Sequence, residues 1–239
     1  MVETNCETDF VSRNKKFHSL VQRVTQGCFH FSGEQSGLTG NTVVYKVPLA
    51  ADQLANLPLA ESRPVKDETA LSIGELGENI QNRRAVYFRA VAPVQLAGYT
   101  HPLPEGGVKK DVVQSGRYGV IVAYKPTSAS ISSDKSAGRL EDIGRQLCMN
   151  PTEIGTFKKV EQTTEPEIIT KEPDPPALES DNVEAAQPYY NDDETTLLNQ
   201  EFLLDPDMTV GEYLFNNGVE VLDFSRFECG EKIESTQHG

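Results

Sequence analysis

The sequence has no tryptophan, only three methionines and only four histidines in 239 residues. His18, His30, His101 and His238 are scattered, and none accompanies a nucleophile-elbow motif, so no Ser or Cys triad is signalled. Phosphate-cradling glycine loops are missing as well. Gly116 and Gly119 precede no helical pattern and read as a turn with a close backbone approach. The paired acids Asp192 and Asp193 lie in a polar stretch where nothing would desolvate them and shift their pKa. Nothing here points to an enzyme. The four cysteines, Cys6, Cys28, Cys148 and Cys229, form no CxxC pair and have no histidine at metal-ligand spacing. They read as small buried hydrophobes in a reducing compartment, and no metal or cofactor is expected. The longest apolar run is 118–124 (YGVIVAY), far below the ~20 residues of a membrane-spanning helix. Basic residues are in deficit, 22 against 36 acidic, for a net charge of −14. A broad basic face for nucleic acid is excluded. The N-terminal residues carry neither an apolar signal core nor an Arg-rich presequence.

What is present suffices for a core: hydrophobic residues make up 37%, enough for one compact domain or two small ones. VETNC (Val2–Cys6) alternates like a half-buried strand. A helix should follow, capped by Thr8 or Asp9, with Phe17, Leu20, Val21 and Val24 at helical spacing up to Gly27. Residues 31–40 are turn-like, 50–59 suggests a short helix between prolines, and 68–76 a helix ending near Gly77. A β-rich block spans 80–96, with Pro93 marking a bulge or strand end, and another strand starts at 98–101. Residues 109–116 are a polar turn, and 117–124 is the strongest strand. Three such strands in sequence order predict a meander, covered by a helix over 140–149.

Between 161 and 195 stand eleven acidic residues, five prolines and one lysine. Such a segment buries too little apolar area to order itself and predicts a disordered linker. It holds −10 of the net charge, leaving −4 on the other 204 residues. The acidity therefore describes the insert more than a binding face. Thr209 and Glu212 are then spaced as a capping box, a helix runs through Phe215 to Gly218, and 220–228 is a last strand. The tail after Gly230 is expected to fray.

Five ordered segments share one resemblance. VETNCETDFV (2–11), LGENI (76–80) with Arg83 and Arg84, GYTH (98–101), RYGVIVAYK (117–125), and LLNQEFLLDPDMTVGEYL with VEVLDFSRFECGEKIE (197–214 and 219–234) resemble the elongation factor Ts family. The resemblance implies a guanine-nucleotide exchange factor for elongation factor Tu, binding its GDP-bound and nucleotide-free states without breaking a bond. It also implies that Asp9 and Phe10 of Thr8-Asp9-Phe10-Val11 enter between helices of the partner's GTPase domain near its magnesium. Tyr118 and Gly119 match positions whose strand backbone approaches that domain, Leu203 and Leu204 match an apolar pair reaching the partner's third domain, and Arg145 stands where a partner-contacting His is common. Read without the resemblance, Asp9 is a helix cap, Phe10 a core residue or staple, Tyr118 a sheet aromatic, and Leu203 and Leu204 ordinary core.

The family's N-terminal helical module is expected ahead of this chain, which reads as truncated. The dimerisation hairpin of bacterial members gives way to the proline-rich stretch, which cannot form one. That matches mitochondrial members and predicts a 1:1 heterodimer with Tu in the matrix, the bacterial cytoplasm and chloroplast being the alternatives. The expected fold is α+β with two subdomains, 1–98 and 99–160 joined by 196–234, each a small antiparallel sheet packed with helices. The 161–195 linker and a 235–239 tail complete it. A Tu-binding module with little exchange activity, or an unrelated acidic protein mimicking nucleic acid, are the competing functions. No direct nucleic acid or membrane partner is expected.

Overall fold

The computed structural model describes residues 1–35, 43–59, 63–102, 112–127, 134–150 and 196–233. Strand β1 (Val2–Cys6) leads into a single helical turn, α1 (Asp9–Ser12), and then the 21-residue α2 (Lys15–Gln35). Two helices therefore stand where the sequence suggests one. Thr8 caps the first, and Asn14 Oδ1 accepts the Lys16 N–H at 2.9 Å to start the second. Gly27 does not end α2. A Cβ at this glycine would lie 2.4 Å from Leu59 Cδ2, so its role is to let the helix close on the neighbouring segment. The turn expected from residue 31 is accordingly helical to Gln35, and the rest of it lies outside the described residues.

Next come β2 (Val44–Ala50), α3 (Ala51–Ala55) and α4 (Val65–Leu76). The helix expected over 50–59 shrinks to five residues because Pro58 bridges Pro64 and draws the chain out of helical register. Then follow β3 (Ile80–Ala90), β4 (Gln95–His101), β5 (Tyr118–Pro126) and α5 (Asp134–Met149). A 3-10 turn at Leu197–Asn199 precedes β6 (Glu201–Phe202), β7 (Asp205–Thr209), α6 (Val210–Asn217) and β8 (Val219–Glu228). The capping box of α6 forms as its spacing predicts: Thr209 Oγ1 accepts the Glu212 N–H at 3.1 Å and Glu212 accepts the Thr209 N–H at 2.8 Å. The acidic stretch at 161–195 lies outside the described residues.

The meander does not form. One antiparallel sheet is ordered β1-β3-β2 and another β4-β5-β8, with β6 and β7 a separate hairpin. Both edges of β3 are taken, by β1 and β2, so β4 has no ladder to join there and pairs with β5 instead. Strand β8 returns from the far end of the chain to the other edge of β5.

Alternation along the strands builds the layers. Val120, Val122 and Tyr124 face α5 and α6 in one core with Leu140, Ile143, Leu147, Leu214 and Phe224. Ala85 and Ile80 face α2, α3 and α4 in another, with Leu20, Val24, Leu54 and Val65. The opposite faces meet each other: Val86 and Phe88 of β3 pack with Ala123 of β5 and Val94. The result is the α+β architecture of two small sheets, each with helices on its outer side. A fully buried side chain such as Leu20 or Leu147 contributes about 1.5–3 kcal/mol. Among the described residues no helix is long and apolar enough to cross a membrane.

Candidate functional site

The turn that carries the TDFV residues is held from three directions. Val11 is buried in the core under α2. Thr8 Oγ1 accepts the Val11 N–H at 3.4 Å, closing the turn from its N-terminal side. Ser12 Oγ donates to the Asp9 carbonyl at 2.8 Å. With these groups fixed, Phe10 has nowhere to pack and stands 90% exposed, the most exposed large hydrophobic residue described. The core or staple reading of Phe10 is thereby overturned, since a residue in either role would be covered. Asp9 is not the cap, which is Thr8, and its carboxylate has no hydrogen-bond or ion-pair partner among the described residues.

Behind this turn, a buried carboxylate fastens the two sheets together. Glu3, inside β1, has a side chain only 1% exposed. Its oxygens accept Arg83 Nη1 and Arg84 Nε, each at 2.6 Å, and the Gly230 N–H at 3.0 Å. Arg84 also pairs with Glu231, whose other oxygen takes Arg226 Nη1 at 2.9 Å. Arg83 Nη2 donates to the Glu231 carbonyl at 2.7 Å, and the Arg84 guanidinium lies 4.1 Å from the Phe227 ring centroid. Burial alone would raise the Glu231 pKa, but the Glu228 N–H together with Arg84 and Arg226 outweighs it and holds the carboxyl below its ordinary value. The frayed tail expected after Gly230 is thus corrected at its start: Glu231 is a fastening point between β3 and β8. Residues 234–239 lie outside the described residues.

Tyr118 opens β5, half-buried beside His101 and the Arg226 guanidinium, 5.5 Å from its ring centroid. Gly119 faces Met1, and a Cβ there would sit 2.8 Å from the Met1 Sδ. Because β5 is the central strand, neither residue offers a free ladder edge. Ser115 Oγ lies 3.4 Å from His18 Nδ1, so the approach to β5 touches the helix that α1 leads into. Leu203 and Leu204 form the tip of the β6–β7 hairpin, 42% and 51% exposed, and are not core. Asn150 Oδ1 fixes this tip by accepting the Leu203 N–H at 2.6 Å, while Asn150 Nδ2 donates to the Glu201 carbonyl at 3.1 Å. Arg145, on the exposed side of the helix that ends beside Asn150, pairs with Asp142 at 3.4 Å. The sequence-expected residues thus stand on four separate elements: Thr8–Val11 at the α1 turn, Tyr118 and Gly119 on β5, Leu203 and Leu204 at the hairpin tip, and Arg145 on the exposed side of α5.

Sequence reasoning overlooked Glu3 and Glu231 in this arrangement. Adjacent arginines inside a half-buried strand were the available signal, because buried arginines call for acidic partners. An apolar cavity of about 250 Å³ opens beside the seam of the sheets, lined among others by Thr25, Cys28, Phe29, Leu96 and Ile121. Burial pushes the Cys28 thiol up to about 11, so it offers no activated nucleophile. Among the described residues no group of three or more His, Cys, Asp or Glu could hold a metal ion. The site's resources are an exposed ring, a free carboxylate and an apolar hairpin, which suit binding to another protein.

The family model described as Elongation factor TS matches residues 7–172 and 184–231. The chain belongs to the elongation factor Ts family. The interruption falls inside the acidic stretch. Among relatives named "Elongation factor Ts, mitochondrial", the Aedes aegypti protein is 38% identical over 98% of this chain and 66% of its own length. The Drosophila melanogaster protein is 38% identical over 98% and 64%, and the Homo sapiens protein 33% over 99% and 63%. The chain thus spans slightly less than two thirds of the length of these relatives.

Proposed function

We propose that this family member promotes GDP release from elongation factor Tu in the mitochondrial matrix, as a 1:1 complex and without covalent chemistry. Family membership and the names of the relatives support the assignment. The observation that carries it is Phe10, an aromatic ring 90% exposed on a turn that is otherwise tied down.

GTPases hold their nucleotide largely through a magnesium ion bridging phosphate oxygens and through the loop amides around them. A ring that slides between two helices of such a domain displaces those groups, and the neighbouring Asp9 carboxylate competes for the polar partners near the metal. Burying the Phe10 side chain in the partner yields about 1.5–3 kcal/mol, or one to two powers of ten in affinity. Spent in the nucleotide-free complex rather than the GDP complex, that energy appears as weaker GDP binding by the same factor. Tyr118 and Gly119 would meet the GTPase domain at the end of their strand. Leu203 and Leu204 would grip the third domain and Arg145 would add a charged contact from α5, holding the factor while the nucleotide leaves.

The test mixes the protein with Tu loaded with a fluorescent GDP analogue and follows release against factor concentration. Saturable acceleration is expected. Release no faster than the spontaneous rate overturns the proposal, and if Tu is nevertheless captured, the chain is a binding module with little exchange activity.

A further inference from the structure

The LGENI stretch is bonded directly to the TDFV turn. Glu78, from this stretch, takes two hydrogen bonds from Thr8: the backbone N–H reaches Oε2 at 3.1 Å and the hydroxyl reaches Oε1 at 2.5 Å. The same hydroxyl accepts the Val11 N–H. One carboxylate thus fixes the cap that closes the turn. Glu78 is itself held between two rigid points. Gly77 ends α4 with φ +76, its N–H bonded to the Ile73 carbonyl at 2.8 Å. Two residues on, Ile80 pairs with Cys6 at the end of β1.

We propose that Glu78 is a positioning residue for Phe10: through Thr8 it sets the direction in which the four-residue turn presents the ring. This rests on the reading of Phe10 as the group that acts on Tu. A four-residue helix has no stability of its own and takes its orientation from what grips its ends. Val11 grips one end by burial, and Glu78 grips the other through a two-point contact that a carboxylate matches and a single acceptor does not. Thr8 and its contacts to Glu78 are solvent-exposed, so removing the carboxylate leaves no buried orphan and the fold survives. What is lost is the aim of the ring.

The experiment measures release of the fluorescent GDP analogue from Tu over a factor titration. Wild type, Glu78→Ala, Glu78→Gln, Phe10→Ala and the Phe10→Ala/Glu78→Ala double variant are compared, with amide exchange of the 7–12 segment read in parallel. Glu78→Ala is expected to lower the maximal release rate by about tenfold, with a smaller change in the half-saturating concentration. Glu78→Gln, which keeps one acceptor oxygen, restores part of the rate. In the Phe10→Ala background the Glu78→Ala change has no further effect. Amide exchange at Thr8 rises in Glu78→Ala while the thermal midpoint stays within about 2 °C of wild type. A full maximal rate in Glu78→Ala, an equal further loss in the Phe10→Ala background, or an unchanged Thr8 amide overturns the positioning role alone. Wild-type release by Phe10→Ala overturns the reading of Phe10 and the positioning role with it.

Discussion

Replacing Glu3 with Gln keeps the shape of the β1 side chain and removes its charge, which makes it a direct test of the fastening between the sheets. Glu3 accepts two arginine donors at 2.6 Å and a backbone N–H at 3.0 Å with its side chain 1% exposed. Hydrogen bonds to charged groups contribute about 1.5–3 kcal/mol each, and breaking a buried ion pair from one side costs about 3–5 kcal/mol. Arg83 and Arg84 keep their contacts to Glu231 and are 21% and 20% exposed, so water relieves part of the loss. The expected destabilisation is at the low end, about 3 kcal/mol, equivalent to a drop of about 6–12 °C in Tm. Urea unfolding at neutral pH measures it, through a lowered midpoint with unchanged slope. Because Arg84 serves both carboxylates, each single variant leaves it one of them and the Glu3→Gln/Glu231→Gln double variant leaves it neither, so the double should lose more than the two singles together. A loss below about 1 kcal/mol for Glu3→Gln, or strict additivity with Glu231→Gln, would refute the idea that the two sheets are tied through one charge network.

Three further outcomes follow from other parts of the molecule. Glu231 is held below the ordinary glutamate value of about 4.3, so its contribution is present above that pH and lost as pH falls through the folded value. Urea midpoints measured from pH 6 down to pH 3 should therefore fall less steeply for Glu231→Gln than for wild type, and identical slopes would contradict the linkage. Gly27→Ala places a Cβ 2.4 Å from Leu59 Cδ2, the end of a side chain that must turn away to admit it, so the strain and the better helix propensity of alanine should nearly cancel, with a net change within about 1 kcal/mol and a gain larger than that contradicting the close approach. Cys28 and Cys148 are buried, with thiols pushed up to about 11 and about 12 by desolvation, and should resist alkylation at pH 7.5 until the protein is unfolded.

The elements with strong local patterns were legible in the sequence. The capping box at Thr209 and Glu212, the stop at Gly77 and the apolar run of β5 all depend on neighbours within a few residues, and all stand where their spacing places them. Strand β2 was not legible, because it contains Pro48 and only its place at a sheet edge makes that proline tolerable. The return of the last strand to the second sheet could be expected, and β8 does complete β5, but the neighbour of β3 was misread: alternation says which face a residue takes, not which strand lies beside it, and β1 and β2 take both edges of β3. Within β1 the alternation of VETNC gave no hint that Glu3 would be among the most buried residues, since its partners Arg83, Arg84 and Gly230 come from distant segments. At the candidate site, Phe10 could be named from the family resemblance, but its exposure depends on Val11 and Thr8 holding the turn, which only the fold reveals.

The central claim is that Phe10 acts on the partner and does nothing for the fold. Stopped-flow release of a fluorescent GDP analogue from elongation factor Tu, at saturating wild-type protein and at saturating Phe10→Ala, tests it most directly. With the ring 90% exposed, Phe10→Ala should unfold within about 0.5 kcal/mol of wild type and yet lose at least about tenfold in maximal release rate. Release by Phe10→Ala as fast as by wild type would contradict the account.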